Sequence, residues 1–121
     1  MPNLHPQFFL RLYFSEAEMM GPGKAALLEG IARTGSISAA GRELGMSYKR
    51  AWMLVEAMNA MFAEPLVTSA RGGSGGGGAS LTEAGKRVLT LFREIETASI
   101  AANAERIAAL KTMLIDMSEK K

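Results

Sequence analysis

The chain has 121 residues, 48% of them hydrophobic and 21% charged, which suits one small globular domain and excludes a disordered chain. Fourteen Lys and Arg against twelve Asp and Glu leave a net charge of +2, so any preference for polyanions has to come from how the charge is distributed. The lack of cysteine excludes disulfides, a zinc ribbon and a thiol nucleophile, and the single histidine, His5, removes His-rich metal sites, so no metal is expected.

Residues 8–14 are aromatic-rich, and their alternation places Phe8, Leu10, Leu12 and Phe14 on one face with Arg11 on the other, which predicts an opening strand. Arg11 interrupts the apolar run and no basic stretch precedes it, so the N-terminus does not read as a secretory signal. No stretch of about 18 apolar residues survives without a charge, so no membrane span is expected and a cytoplasmic protein is.

After Gly21, Pro22 and Gly23, the spacing of Leu27, Leu28 and Ile31 predicts a helix over 24–33, stopped by Thr34 and Gly35. Ser36 can cap a second, short helix with Ile37, Ala40 and Leu44 on its buried side and Gly45 after its end. Its small residues Ala39, Ala40 and Gly41 allow close packing. Ser47 then caps a third helix running to about residue 62, and only Gly45, Met46 and Ser47 separate the two, which is a helix-turn-helix signature. At about 100° per residue, Ala51, Val55, Met58 and Phe62 share one face, flanked by Tyr48, Trp52 and Leu54. Lys49, Arg50, Met53, Glu56 and Ala57 share the opposite arc. Two cations beside the positive end of a helix dipole are locally unfavourable and point to an external anion.

Pro65 closes this region, 66–69 is a short β-branched run, and a Gly-rich stretch over 72–78 returns to Ala79, Ser80 and Leu81, as a hairpin would. From Thr82 a long helical pattern follows. Val88, Leu91, Ile95, Ala98 and Ala102 form one stripe and Ile107, Leu110, Leu114 and Met117 a second, with the register slipping near Asn103. A helix of about 36 residues would run about 54 Å, longer than so small a domain, so its apolar face calls for a partner chain. No internal repeat or long linker suggests a second domain.

Residues 1–35 hold three basic and three acidic groups and residues 88–121 five of each, so the excess sits over 36–87, six against four. Its basic members are Arg42, Lys49, Arg50, Arg71, Lys86 and Arg87. Such clustering suits a phosphate backbone, although charges on amphipathic helices are more often a solvated face. A helix presenting Ser47, Tyr48, Lys49 and Arg50 can enter the major groove, where Arg50 can pair with guanine, Lys49 can reach guanine or phosphate, and Met53 can touch a thymine methyl. Arg71 at the hairpin base can contact phosphate or the minor groove.

The glycines at 73, 75 and 78 match a dinucleotide fingerprint formally, but no helix opens at the last of them and no Lys-Ser/Thr pair follows. Catalysis finds no support either: a triad would need His5, and Glu94 and Glu96 face different ways on a helix. Trp52 reads as a core anchor and the methionines mostly as adaptable packing.

In order along residues 8–100, the segments 35–40 (Gly-Ser-Ile-Ser-Ala-Ala) and 45–52 (Gly-Met-Ser-Tyr-Lys-Arg-Ala-Trp), then Met58-Asn59, Pro65-Leu66-Val67, the glycine run 72–78 and Leu81-Thr82-x-x-Gly85 form a recognisable series. It resembles the N-terminal DNA-binding domain of the ModE-type molybdate-responsive regulators, distantly similar to the LysR-type winged helix. The resemblance implies a mainly α fold with a small β-sheet: a winged helix-turn-helix over 1–82 followed by a long C-terminal dimerisation helix over 83–121 of the same domain. It also implies a homodimer, paired through that helix and the first strand, on operator DNA near molybdate-transport or molybdoenzyme genes. DNA contacts fall on Ser36, Ser38, Arg42, Ser47, Tyr48, Lys49, Arg50, Met53, Arg71, Gly73 and Gly75. The dimer face falls on Val88, Leu91, Phe92, Ile95, Ala98, Ala102, Ile107, Leu110 and Leu114. Members of that family continue into paired molybdate-binding modules of the TOBE or Mop type, which have no counterpart in these residues, so no cofactor is expected here and molybdate as a direct effector is doubtful. The Ser-Glu-Lys-Lys ending reads as a solvated helix end, which favours a short regulator over a fragment. The sequence therefore predicts a non-enzymatic, double-stranded-DNA-binding regulator that docks two helices roughly 34 to 36 Å apart on a palindromic site. The alternative is a small oxyanion-binding or protein-interaction module that keeps the fold.

Overall fold

A computed structural model describes residues 8–70 and 78–115. The chain order is β1 (Leu12–Tyr13), β2 (Met19–Met20), α1 (Pro22–Thr34), α2 (Ile37–Glu43), α3 (Tyr48–Met61), β3 (Val67–Ala70), β4 (Gly78–Leu81), α4 (Glu83–Ala102) and α5 (Ala104–Thr112). The fold is mainly α with two small antiparallel hairpins, β1–β2 and β3–β4.

The expected opening strand is shorter than its alternation suggested and has a partner the sequence did not reveal. Leu12 pairs with Met20 and Tyr13 with Met19. The Phe14 N–H donates to the Glu18 carbonyl, which turns the chain back, so Phe14 leaves the inner face. Its exposed ring meets Phe62 edge-on, 6.4 Å between centroids.

Helix α1 begins on Pro22, whose missing N–H costs nothing in the first turn, and ends where Gly35 takes φ +73° and donates its N–H to the Ile31 carbonyl. Ser36 caps α2 by accepting from the Ala39 N–H at 3.0 Å. Helix α2 closes in a Schellman turn: Met46 N–H donates to the Gly41 carbonyl and Gly45 N–H to the Arg42 carbonyl, with Gly45 at φ +74°. The helix stops at Glu43, so Leu44, expected on the buried side, is exposed in that turn. Ser47 caps α3 through the Arg50 N–H at 3.1 Å. A Cβ added at Gly41 would lie 2.8 Å from that of Ala51, so glycine sets how closely α2 and α3 approach.

The core is shared by every helix up to α4. Leu27, Leu28 and Ile31 of α1, Ile37 and Ala40 of α2, and Ala51, Val55 and Met58 of α3 meet Leu66, Val67 and Leu81 of the second hairpin. Phe92 of α4 completes it at 2% exposure, and this corrects its expected place on the dimer face. The inner direction of α4 runs through Gly85, Phe92, Glu96 and Ser99, about 100° away from the more apolar stripe that the sequence pattern picked out.

The long helical stretch is present but does not form one rod. It breaks at Asn103, at the point where the pattern slips: its N–H reaches only to the Ile100 carbonyl, while its side-chain amide donates to the Ser99 carbonyl. Among the described residues no helix is long and apolar enough to cross a membrane.

Candidate nucleic-acid interface

Helix α3 is anchored along one side by Ala51, Val55 and Met58 and bare along the other, as its period predicted. Ser47, Tyr48, Lys49 and Arg50 are all exposed in its first turn, Tyr48 at 64%, and Met53 follows one turn later at 55%. Among the described residues, Arg42, Lys49, Arg50 and Arg87 form no ion pair, whereas Lys86 is drawn to Glu83 at 3.3 Å. The exposed arc of α3 changes sign along its length, from Lys49 and Arg50 to Glu56, so its N-terminal end is the one that suits a phosphate backbone. Tyr48 does not flank the core; it stands edge-on to the half-buried Trp52, 6.2 Å between centroids. The Trp52 Nε1 is buried without a hydrogen-bond partner.

The remaining site residues sit beside this turn with different degrees of freedom. Arg42 is exposed in the last turn of α2, where its charge also suits the negative helix end. Ser36 and Ser38 are half-buried, and the Ser36 hydroxyl already serves the cap and lies 3.2 Å from that of Ser38. Arg71, Gly73 and Gly75 lie outside the described residues, as does His5.

Two arrangements that position the interface were not legible beforehand. Asn59 faces the base of the second hairpin: its Oδ1 accepts from the N–H groups of Leu66 (2.8 Å) and Val67 (3.1 Å), and its Nδ2 donates to the Val67 carbonyl (3.1 Å). The sequence signal was a lone amide on the inner side of an apolar helix, a few residues before a strand. Arg93 of α4 forks onto Glu29 of α1 and also reaches Glu96; hydrogen bonding to Glu29 raises its already high pKa, so the guanidinium stays charged. The Arg33–Glu43 pair ties α1 to α2 in the same way and lowers the Glu43 carboxylate pKa, chiefly through that hydrogen bond.

On the expected dimer face, Leu91 and Ile95 are exposed at 41% and 39%, and Ala98 and Ala102 are exposed with them. Val88 leans partly on the core, and Ile107 is half-buried. Leu110 and Leu114 are exposed beyond the break. Among the described residues no cluster of His, Cys, Asp or Glu is placed to hold a metal.

A short cap, a glycine turn and a second capped helix carrying a bare basic first turn, followed by a hairpin, describe a bacterial regulatory helix-turn-helix protein of the LysR family, and the model of that family matches residues 24–86. The chain belongs to this family. Its sequence is 56% identical over 77 residues to the molybdenum-pterin-binding protein MopB of Rhodobacter capsulatus, covering 64% of this chain and 28% of that protein. It is 39% identical over 94 residues to the transcriptional regulator ModE of Yersinia pestis, covering 78% and 36%. To the DNA-binding transcriptional dual regulator ModE of Escherichia coli K12 it is 38% identical over 89 residues, covering 74% and 34%. The chain thus spans about a third of the length of the curated relatives it matches. Among solved structures, a CbnR_DBD–DNA complex superposes with TM-score 0.55 at 26% identity, covering 72% of this chain and 95% of that one. The LysR family transcriptional regulator VV2_1132 (TM-score 0.54, 17% identity, 74% of this chain and 29% of that one) shares the fold. The LysR-type winged helix with ModE-like sequence expected from the motifs is therefore the one found.

Proposed function

We propose that this chain is a DNA-binding transcription regulator rather than an enzyme, with α3 in the major groove and the β3–β4 hairpin lying along the backbone. The observation that carries this reading is the exposed first turn of α3, where Lys49 and Arg50 stand free of ion pairs on a helix held from behind by its buried face. Bases are read from Arg50, Lys49 and Met53, with Ser47, Tyr48, Arg42, Ser36 and Ser38 toward the phosphates. Arg71, Gly73 and Gly75 are assigned to the hairpin's backbone contact on their sequence position alone. The segment from residue 83 pairs two copies through Leu91, Ile95, Ala98 and Ala102, and the operator is a palindrome. The ModE and Mop names of the relatives support genes of molybdate transport or molybdoenzymes and a cytoplasmic setting. Contact with DNA in this reading needs no cofactor.

The test is fluorescence anisotropy of a labelled duplex from upstream of the chain's own gene against an equal-length scrambled duplex, at several salt concentrations. A preference of about 10³ or more with a steep negative salt slope supports a sequence-specific regulator. Replacing both Lys49 and Arg50 by Ala lowers affinity by about 1–3 kcal/mol for each lost base contact and narrows the preference over the scrambled duplex. A folded, dimeric double variant that binds as tightly as the parent refutes the assignment. Molybdate leaves the binding isotherm unchanged; calorimetric heat from molybdate without DNA would favour an oxyanion-binding module instead.

A further inference from the structure

Helix α4 faces three environments at once. Phe92 enters the core, while Leu91 and Ile95 stand exposed. At about 100° per residue, Arg93 lies about 180° from the midline of Leu91 and Ile95, on the opposite side of the helix. There its Nε donates to Glu29 Oε2 and its Nη2 to Glu29 Oε1, both at 2.8 Å, and its Nη1 donates to Glu96 Oε1 at 2.7 Å. Glu29 belongs to α1, which packs on α2, which packs in turn on α3. The fork is therefore a direct polar tie between the helix proposed to pair two copies and the body that carries the recognition helix.

Apolar packing holds α4 through Ala84, Val88, Leu89 and Phe92, with Gly85 against the Leu66 backbone, and the fork lies at the end of that stretch. Beside the fork, an open surface depression of about 600 Å³ runs along α4, lined by Leu89, Arg93, Thr97, Ala98 and Ala101 among others, with Glu29 as its α1 member. A planar guanidinium bonded twice to one carboxylate favours a narrow range of relative orientations of the two helices. The Arg93 side chain is one-third exposed and that of Glu29 about half exposed, so the pair adds little to stability and its effect falls on geometry.

We infer that Arg93 is a positioning residue: by gripping Glu29 it fixes the angle between the pairing face of α4 and the recognition helix, and so sets the half-site separation that a dimer accepts. The inference rests on the dimeric DNA-binding reading above. A half-site is first selected from a random duplex library. Inverted repeats of it, differing only in centre-to-centre separation around about 10 base pairs, are then bound by the parent chain, Arg93→Gln, Glu29→Gln and the exchange Glu29→Arg/Arg93→Glu.

The parent favours one separation over its neighbours by about tenfold, a difference of about 1.4 kcal/mol. Both single variants sediment as dimers and bind one isolated half-site as the parent does, but their preference among separations falls to about twofold. The exchange restores it. If both single variants keep the parent's preference, the positioning role is wrong and the dimeric reading stands. If they lose isolated half-site binding as well, the fork is general scaffolding and the inference fails. A parent indifferent to separation would refute the dimeric reading itself, and the inference with it.

Discussion

Replacing Asn59 by Ala tests whether one amide holds the hairpin to the recognition helix. Thr82 N–H donates to the Leu66 carbonyl at 2.9 Å, and Val67 lies opposite Leu81 in the next, non-hydrogen-bonded position of the ladder. Both polar groups of Val67 then point away from β4, toward the side where no third strand lies among the described residues. The Asn59 side chain fills that role with a carbonyl oxygen for two N–H groups and an amine for one carbonyl, as a strand's peptide would.

The alanine variant removes three hydrogen bonds at about 1 kcal/mol each and leaves backbone groups beside the buried Leu66 and Val67 partly unsatisfied, so the loss is about 2–4 kcal/mol. Against a total of about 5–15 kcal/mol this is a large fraction, and it lowers Tm by roughly 10–20 °C. Urea and thermal unfolding followed by circular dichroism, with Trp52 fluorescence as a second probe, measure it. Asn59→Asp should fall between parent and alanine, because it keeps an acceptor for both N–H groups but sets a carboxylate oxygen against the Val67 carbonyl. An alanine variant within about 0.5 kcal/mol of the parent would refute the account.

Other substitutions follow from the same geometry. A Cβ at Gly85 would overlap the Leu66 carbonyl oxygen, so Gly85→Ala forces the start of α4 off the hairpin and costs about 3 kcal/mol or more, whereas Gly23→Ala, with open space around its site, is neutral or gains about 0.5–1 kcal/mol. Equal unfolding midpoints for the two would contradict this. The Glu43 pKa is lowered in the folded chain, so its pairing with Arg33 stabilises above the unfolded carboxylate value of about 4.3 and is lost as pH falls through the lower folded value. Arg33→Gln should therefore show a smaller loss of urea midpoint between neutral pH and pH of about 3 than the parent; parallel losses would refute it. Ile95→Glu, on an exposed position, should leave the fold intact and yield a monomer by sedimentation equilibrium, and an unchanged dimer would remove the pairing face from α4.

The helix-turn-helix was legible because its signals are local. Ser36 and Ser47 cap through their own third neighbours, Gly35 and Gly45 take the left-handed region, and the period of α3 separates its buried side from Lys49, Arg50 and Met53. What was missed depends on the chain meeting itself at long range. Met19 and Met20 are too few to show alternation, and Phe14 and Leu44 are turned outward by a hairpin turn and a helix end rather than by their own character. The inner side of α4 was hidden by composition: Glu96 and Ser99 face inward, so hydrophobicity marks the outward stripe expected to meet a partner chain but not the inner side about 100° away.

That outward apolar stripe is also the physical case for a partner. Helix α4 is buried only at Gly85 and Phe92, in its first half, after which half-buried Glu96 and Ser99 replace apolar residues on its inner side. The domain's own core therefore ends while the helix continues. Leu91, Ile95 and Ile100 on α4, with Leu110 on α5 and Met113, Leu114 and Ile115 after it, all remain exposed. A surface with so many large apolar side chains in sequence is stable in water when another surface covers it. The break at Asn103 divides it in two, because the five-residue step from Ala102 to Ile107 turns the stripe by roughly 140°. A copy seated along Leu91 and Ile95 thus lies opposite the Arg93 fork, and one route from its position to the recognition helix runs through α1, the element that Glu29 holds to α4.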